Sequence, residues 1–437
     1  MVVPKRHGEP EKQSEGCRQG YEISSMPDIH LHSDEVDLVI GGEALRRSCE
    51  VVLRIDPRPR LVLKVSGLGT VAAIRAAFGP DTRFSLRIVN AGADCQAFFA
   101  GGGDEMAEFT PYTEPIIVGS SANLASVSFD IVNFPSFMVL YGALAGTESN
   151  RVDITVAGWH IEIRSPRESP DVEAFQSPIY SVTQSCTLRR IDGATFRSEA
   201  ALEVLNILHE ALSFASGRWV ATVFVGGIAT GGDVAWKVWG TGKLRPDFST
   251  EGTWFDFHHG DALADVVSGL FDLHRNAENA EAFRTALYWF VRSGTEAAGV
   301  DGGLILLQAA LERLSWHRFV IDRRMFSAKK FGDLRAHERL RLLVEDCKIP
   351  EAVPTGLSKL LPEATKRGWD GPAAVAAARN PLVHPRGLRP LPWYDLWRLA
   401  RWYVELVLLN MVGFIGEYSN RTLERRWVGA VERVPWA

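Results

Sequence analysis

At 437 residues, 48.3 kDa and 46% hydrophobic, the chain is too long for one ordinary core, so about two or three domains are expected. Its 23% of charged residues is that of a soluble globular protein, and a net charge of -5 gives no global sign of a nucleic-acid binder. The charge is unevenly spread, however. From Ile321 onward about 20 Lys and Arg stand against about 13 Asp and Glu, so the last quarter is basic and the rest acidic. That split favours an anionic partner for the C-terminal part. The five cysteines are scattered without a Cys-x-x-Cys pair, which indicates neither a disulfide framework nor a thiolate metal site and fits a reducing cytoplasm.

Residues 1–27 are polar, lack the apolar segment of a secretory signal, and are expected to form a flexible tail. From 28 to 192 the signal is strand. Ser48–Asp56, Arg60–Gly67, Arg83–Val89, Pro115–Ser120, Ser126–Phe134, Val152–Ser165 and Tyr180–Ile191 are β-branched or alternating and bounded by turn residues. Alternation in Val127–Ile131 and Ile154–Ile163 predicts half-buried antiparallel strands, hence a sandwich-like, β-rich domain with one short helix near Val71–Phe78.

An α/β junction is expected over 193–258. Leu202, Leu205, Leu208 and Leu212 recur at helical spacing behind Ser198-Glu199, and two aromatic strands, Arg218–Val225 and Asp233–Trp239, form a hairpin carrying Trp219, Trp236 and Trp239 inward. From 259 to 437 the period is 3.6, predicting helices near Ala262–His274, Glu281–Ser293, Gly303–Val320, Leu334–Cys347, Gly371–Arg379 and Trp393–Tyr418. The fold class is therefore α+β, a strand-rich front half followed by an all-α bundle. The apolar run Trp402–Gly416 carries Glu405 and Asn410 and is short for a bilayer span, so it is expected to be a buried helix, with no membrane partner.

Several short motifs carry less than they promise. His30 and His32, two apart in Asp28–Ser33, would share one side of a strand; the stretch looks like the opening of the PHP-type metallophosphoesterases, but no alternating strands and helices follow. Gly67-Leu68-Gly69-Thr70-Val71-Ala72 resembles half of a dinucleotide fingerprint in the wrong fold, and Gly101–Gly103 lacks the ending of a phosphate loop. His258-His259 beside Asp256 and Asp261 suits the start of a helix, and Trp316-His317 the end of one. No metal or cofactor is expected.

Arg379-Asn380-Pro381-Leu382-Val383-His384 concentrates more chemistry. Arginine forks onto phosphate and histidine titrates near neutrality. On an unbroken helix residues five apart diverge by roughly 140°. Pro381 is expected to bend the chain so that Arg379 and His384 converge.

Arg379-Asn380-x-x-x-His384 resembles the R-x4-6-H motif of the HEPN superfamily. Leu304–Leu314 resembles the HEPN helix that bears an acidic residue facing that motif, here Glu312. A strand-rich front half before such a bundle is similar to the ApeA-like HEPN proteins of bacterial anti-phage defence. The resemblance implies a metal-independent endoribonuclease, cytoplasmic and homodimeric through its helices, with RNA as substrate and the N-terminal domain as a sensor of an unknown trigger or protein partner. It implies His384 as general acid or base, Arg379 on the scissile phosphate, Asn380 orienting either, and Glu312 positioning Arg379 or His384. The alternative is a non-catalytic binding or dimerisation scaffold built on a degenerate bundle.

Overall fold

The computed structural model describes residues 28–40, 43–55, 59–69, 82–103, 105–119, 123–134, 151–165, 182–240, 242, 244, 252–256, 258–383, 390–424, 427 and 429–437. The expected tail, the expected helix near Val71–Phe78 and His384 lie outside them.

The fold is α+β, with strands in front and helices behind; the front strands form two separate sheets, and a two-stranded ladder of Glu417–Tyr418 with Glu432–Arg433 follows the helices. Six of them, β1 (Ile29–Ile40), β2 (Glu43–Arg54), β3 (Arg60–Ser66), β4 (Arg83–Ile88), β5 (Ala93–Gly102) and β6 (Met106–Pro111), close into a barrel of order β1-β2-β3-β6-β5-β4. Closure comes from the antiparallel pairing of β1 with β4, in which Val36 lies opposite Ile88. This satisfies backbone groups that a sandwich would leave on open edges. The interior follows from period two: Phe84, Leu86 and Ile88 of β4 point in, while Arg83, Ser85 and Arg87 point out. Phe109 packs its ring against Phe84 and Phe99 in edge-on fashion at 5.2 and 5.8 Å. Arg54, near the end of β2, forks onto both Asp28 and Glu108 at 2.7–2.8 Å, and this pairing draws the Asp28 carboxyl down to about 2.

The second sheet comprises β7 (Ile116–Gly119), β8 (Leu124–Val132), β9 (Arg151–Val156), β10 (Trp159–Arg164), β11 (Val182–Arg190), β12 (Thr222–Ala229) and β13 (Val234–Trp239) in the order β7-β13-β12-β8-β11-β10-β9. The expected single run Val152–Ser165 is a hairpin, turned at Ala157 and Gly158, both with positive φ. The aromatic hairpin β12–β13 sits inside this sheet, with β12 paired to β8, so the sheet spans the expected boundary at 192/193. Gly227 makes room for that: a Cβ there would lie 2.8 Å from Leu124 and from the ring of Trp236. Trp236 and Trp239 are buried as expected, whereas Trp219 is half-buried and stacks on His209.

One face of this sheet is covered by α1 (Ser198–Ser216), through Val204, Leu205, Leu208 and Leu212. The same apolar cluster continues without a break into the helices that follow, so the second sheet and the helical region share one core. Those helices are α2 (Asp261–Leu273), α3 (Ala277–Ser293), α4 (Gly299–Trp316), α5 (Ala328–Asp333), α6 (Ala336–Asp346), α7 (Leu360–Arg367), α8 (Gly371–Val383) and α9 (Trp393–Met411). Helix α9 is buried along nearly its whole length. It ends at Met411 rather than near Tyr418 because Gly413, at φ 68°, turns the chain left-handed. Gly413 and Phe414 then donate back to the carbonyls of Asn410 and Leu409 at 3.1 and 3.0 Å. Several charges are buried on or beside α9. The Arg401 guanidinium lies 4.2 Å over the Phe290 ring, and Glu405 takes a two-pronged ion pair from Arg421 at 2.6 Å on each arm.

After α4 the expected long helix widens into a π-turn, His317–Asp322, in which Arg323 N–H reaches back to Arg318 O at 3.0 Å. His317 is buried there and donates from Nε2 to Asn279 Oδ1 at 2.8 Å. Burial pushes its pKa below the ordinary value of 6.5. The unfolded chain therefore takes up a proton that the folded imidazole resists. The stability this contributes is complete above the unfolded value and is lost as pH falls below it toward the folded one. Urea titrations at about pH 7.5 and about pH 5.5 should show a larger loss for the wild type than for His317→Gln, which stays neutral throughout. Equal losses would show that His317 does not titrate in this window.

Candidate cleft between three helices

Helices α4, α6 and α8 pack against one another. Helix α8 is rich in alanine, Ala373, Ala374, Ala376, Ala377 and Ala378, which keeps its side chains short where it meets its neighbours. On α4 the residues Gln308, Leu311, Glu312 and Ser315 fall on one face at helical spacing. That face, with Arg339 from α6 and Arg379 from α8, lines a shallow cleft.

The structure brings two of the four expected site residues together. Arg379 Nη1 donates to Glu312 Oε1 at 3.3 Å, although the two are 67 positions apart in sequence. Their side chains are 48% and 38% exposed, so the pair adds little to stability, and the remaining guanidinium N–H groups are open to solvent or a ligand. Asn380 follows Arg379 in the last turns of α8, and His384 comes one residue after the helix ends.

Pro381 was expected to bend the chain at this point so that Arg379 and His384 converge. The helix α8 runs through it to Val383, and His384 lies outside the described residues. Only one further turn follows Arg379, so the missing proline N–H forfeits a single bond near a terminus where helices already fray.

Two residues that the sequence did not single out complete the cleft. Arg339 donates from Nε to Leu334 O at 2.9 Å and from Nη2 to Gly332 O at 3.4 Å, at the C-terminal end of α5. Its side chain is thus tethered by backbone carbonyls, and it has no carboxylate partner among the described residues. Gln308 is buried and donates its carboxamide N–H to the carbonyl of Val375, one turn before Arg379. That bond fixes the orientation of the amide. Its Oε1 is left without a hydrogen-bond partner among the described residues. A tethered cation beside an arginine held by a carboxylate makes a site suited to a phosphate group, with the buried Gln308 beneath them. Neither Arg339 nor Gln308 had a local signal: each is one polar residue on an amphipathic helix, and only the three-helix packing assembles them.

The other candidates separate. The β1–β2 pairing shifts between His30 and His32, which breaks the alternation that would have aligned them. His30 contacts the Ser33 hydroxyl at 2.7 Å and His32 approaches Asp34 at 3.4 Å. Burial alone would raise the Asp256 carboxyl, but N–H groups of Gly429 and His258 outweigh it and hold the group below the usual range. Asp256 thereby ties the start of the helical region to the C-terminal segment. Among the described residues no group of three His, Cys, Asp or Glu is placed to hold a metal ion. No described helix is long and apolar enough to cross a membrane.

Residues 276–433, which include the cleft, match the family model of the YopA C-terminal domain. Residues 119–249, which include most of the second sheet, match that of the YopA central domain. Both segments are similar to YopA. The SPbeta prophage-derived uncharacterized protein YopA of Bacillus subtilis (strain 168) is 24% identical over 333 residues, 74% of either chain. No solved structure matches the chain. The YopA central-domain match begins at β7 and ends after β13, so the strands it covers are those of the second sheet, while the barrel precedes it.

Proposed function

We propose that the helical region is a HEPN-type domain and that the protein is a metal-independent endoribonuclease working at the α4–α6–α8 cleft. The observation that carries this reading is the Arg379–Glu312 pair, an arginine at the end of one helix held by an acid on another. The basic C-terminal part of the chain suits a polyanion.

In this reading Arg379 and Arg339 bind the non-bridging oxygens of one phosphate and stabilise the charge that builds on them. His384 removes the proton of the ribose 2′-hydroxyl. The 2′-oxygen attacks phosphorus, the bond to the 5′-oxygen breaks, and that oxygen takes up a proton. The products are a 2′,3′-cyclic phosphate and a 5′-hydroxyl, with no need for a metal because the nucleophile belongs to the substrate. DNA, lacking the 2′-hydroxyl, is not cut. Asn380 orients the phosphate or the imidazole, and two copies face each other across the cleft. The barrel and second sheet act as the sensing or interaction module. A prophage-derived relative suits a setting of conflict between phage and host.

Purified protein should cleave single-stranded RNA in EDTA, leaving cyclic phosphate ends, and His384→Ala should lower the rate by about 10²–10⁴-fold. Wild-type protein that leaves RNA intact at high concentration, or an alanine variant that cuts as well, rejects the proposal.

A further inference from the structure

A cavity of about 270 Å³ lies where the end of the barrel formed by the start of β1 and the end of β2 meets the second sheet. It is remote in sequence from the helical cleft, and its chemistry is different. Most of its wall is apolar: Leu31 and Leu53 from the barrel, Phe224, Val234, Val238 and Trp239 from the sheet. Such a volume is at the small end for ligand pockets, enough for a ring or two and too small for a helix.

Three features shape it. First, Lys237 is the lysine in the lining, is half-buried, and its ammonium has neither an ion pair nor a hydrogen bond with any described residue. The neighbouring carboxylate on the same face of β8, Asp130, is engaged by the Ser185 hydroxyl instead. An ammonium beside an apolar wall, without a carboxylate partner among the described residues, favours an anion over a neutral group of the same shape. Second, the floor is open because residue 226 is glycine. A Cβ there would meet only Ser128 Oγ at 3.5 Å and Val234 Cγ1 at 3.7 Å, so no backbone constraint demands glycine and the space above it is free. Third, Phe224 is held at φ 53°, in the left-handed region that a bulky side chain rarely occupies. It lies in a bulge, between the pairs Val223 with Asp130 and Gly226 with Ser128, that re-aims its side chain. Strain of this kind persists where the surrounding structure holds it, and clusters at ligand sites.

We propose that this cavity binds a small organic anion with a ring-sized apolar body, the body lying against Phe224, Val238 and Trp239 and the anionic group on the Lys237 ammonium. The site is independent of the cleft and of any ribonuclease activity there. It gives the strand-rich part of the chain a ligand of its own.

The test uses the full-length protein with two probes of equal shape, 2-naphthoate and its neutral alcohol 2-naphthylmethanol, titrated by calorimetry. Wild-type protein is expected to bind the carboxylate more tightly than the alcohol. Lys237→Met should weaken the carboxylate by about tenfold and leave the alcohol unchanged. Gly226→Leu should abolish binding of both. Val234→Trp, at a rim position that is 53% exposed and tolerant of substitution, should do the same if Gly226→Leu fails to fold. Absence of carboxylate binding by the wild type overturns the proposal. So does binding that survives both blocking variants, or a Lys237→Met variant that weakens the two probes equally.

Discussion

Glu405→Ala is expected to destabilise the protein by about 3–5 kcal/mol, among the largest effects of any single substitution outside the site. Glu405 and Arg421 are 1% and 2% exposed, and each arm of their ion pair is 2.6 Å long. Removing the carboxylate strands the Arg421 guanidinium in the shared core, where among the described residues only the Gly252 carbonyl at 2.9 Å would still accept from it. Its Nη1 already lacks a partner among the described residues. The loss of the pair is a different matter. Replacing both residues with apolar ones of similar volume, Glu405→Leu with Arg421→Met, removes two desolvation costs along with one attraction and should come out near neutral. Urea midpoints at constant slope separate these cases. A single variant that loses less than about 1 kcal/mol, or a double variant as weak as the single one, contradicts this account of the burial.

Arg379→Ala should reduce RNA cleavage by at least about 10²-fold while leaving the unfolding midpoint where it is. The separation of the two effects is the useful part. The Arg379–Glu312 pair is half-exposed, so its contribution to stability is small, but in the reading above the same guanidinium bears the charge of the transition state. Arg379→Lys keeps the charge and loses the fork, and should recover only part of the activity. Glu312→Gln should leave Arg379 charged but unanchored, lowering kcat more than it raises KM. Arg339→Ala should likewise lower the cleavage rate, and should also weaken RNA binding for all sequences and reduce the salt dependence by about one phosphate contact. If Arg379→Ala lowers stability and activity together, or neither, the assigned role fails.

The helical half was legible because its periodicity is strong: α2, α3, α4 and α6 begin and end within a few residues of where the apolar stripes place them. The end of α9 was also written in the chain, at Gly413, and was overlooked because Phe414 prolongs the stripe. The barrel was harder. In β5 the inward positions Ala93 and Ala97 are small, so alternation carries almost no hydrophobic contrast. Closure depends on β1 finding β4 some fifty residues away, which no local pattern encodes. At the site, Arg379 and Glu312 were found through the motif and the helix order around it. Pro381 lies within the last turns of α8, where a missing N–H costs little and the helix continues, while His384 lies outside the described residues. Arg339 and Gln308 were invisible, since a polar residue on an amphipathic face is ordinary until packing leaves its atoms without alternatives.

The apolar cluster that runs from the second sheet into the helices also decides where the chain can be cut. A truncation near residue 258, at the change from strand to helix, would slice through one interior. It would expose the faces of α1 and α2 to water and leave two insoluble halves. The seam with less to lose lies further upstream, before β7, where the barrel has a core of its own, Ile116 and Trp239 of the second sheet reach into it, and a small cluster around Leu53, Ile55, Val132 and Val223 bridges back. Divisibility here follows hydrophobic continuity, and the visible border between strands and helices is the wrong place for the scissors.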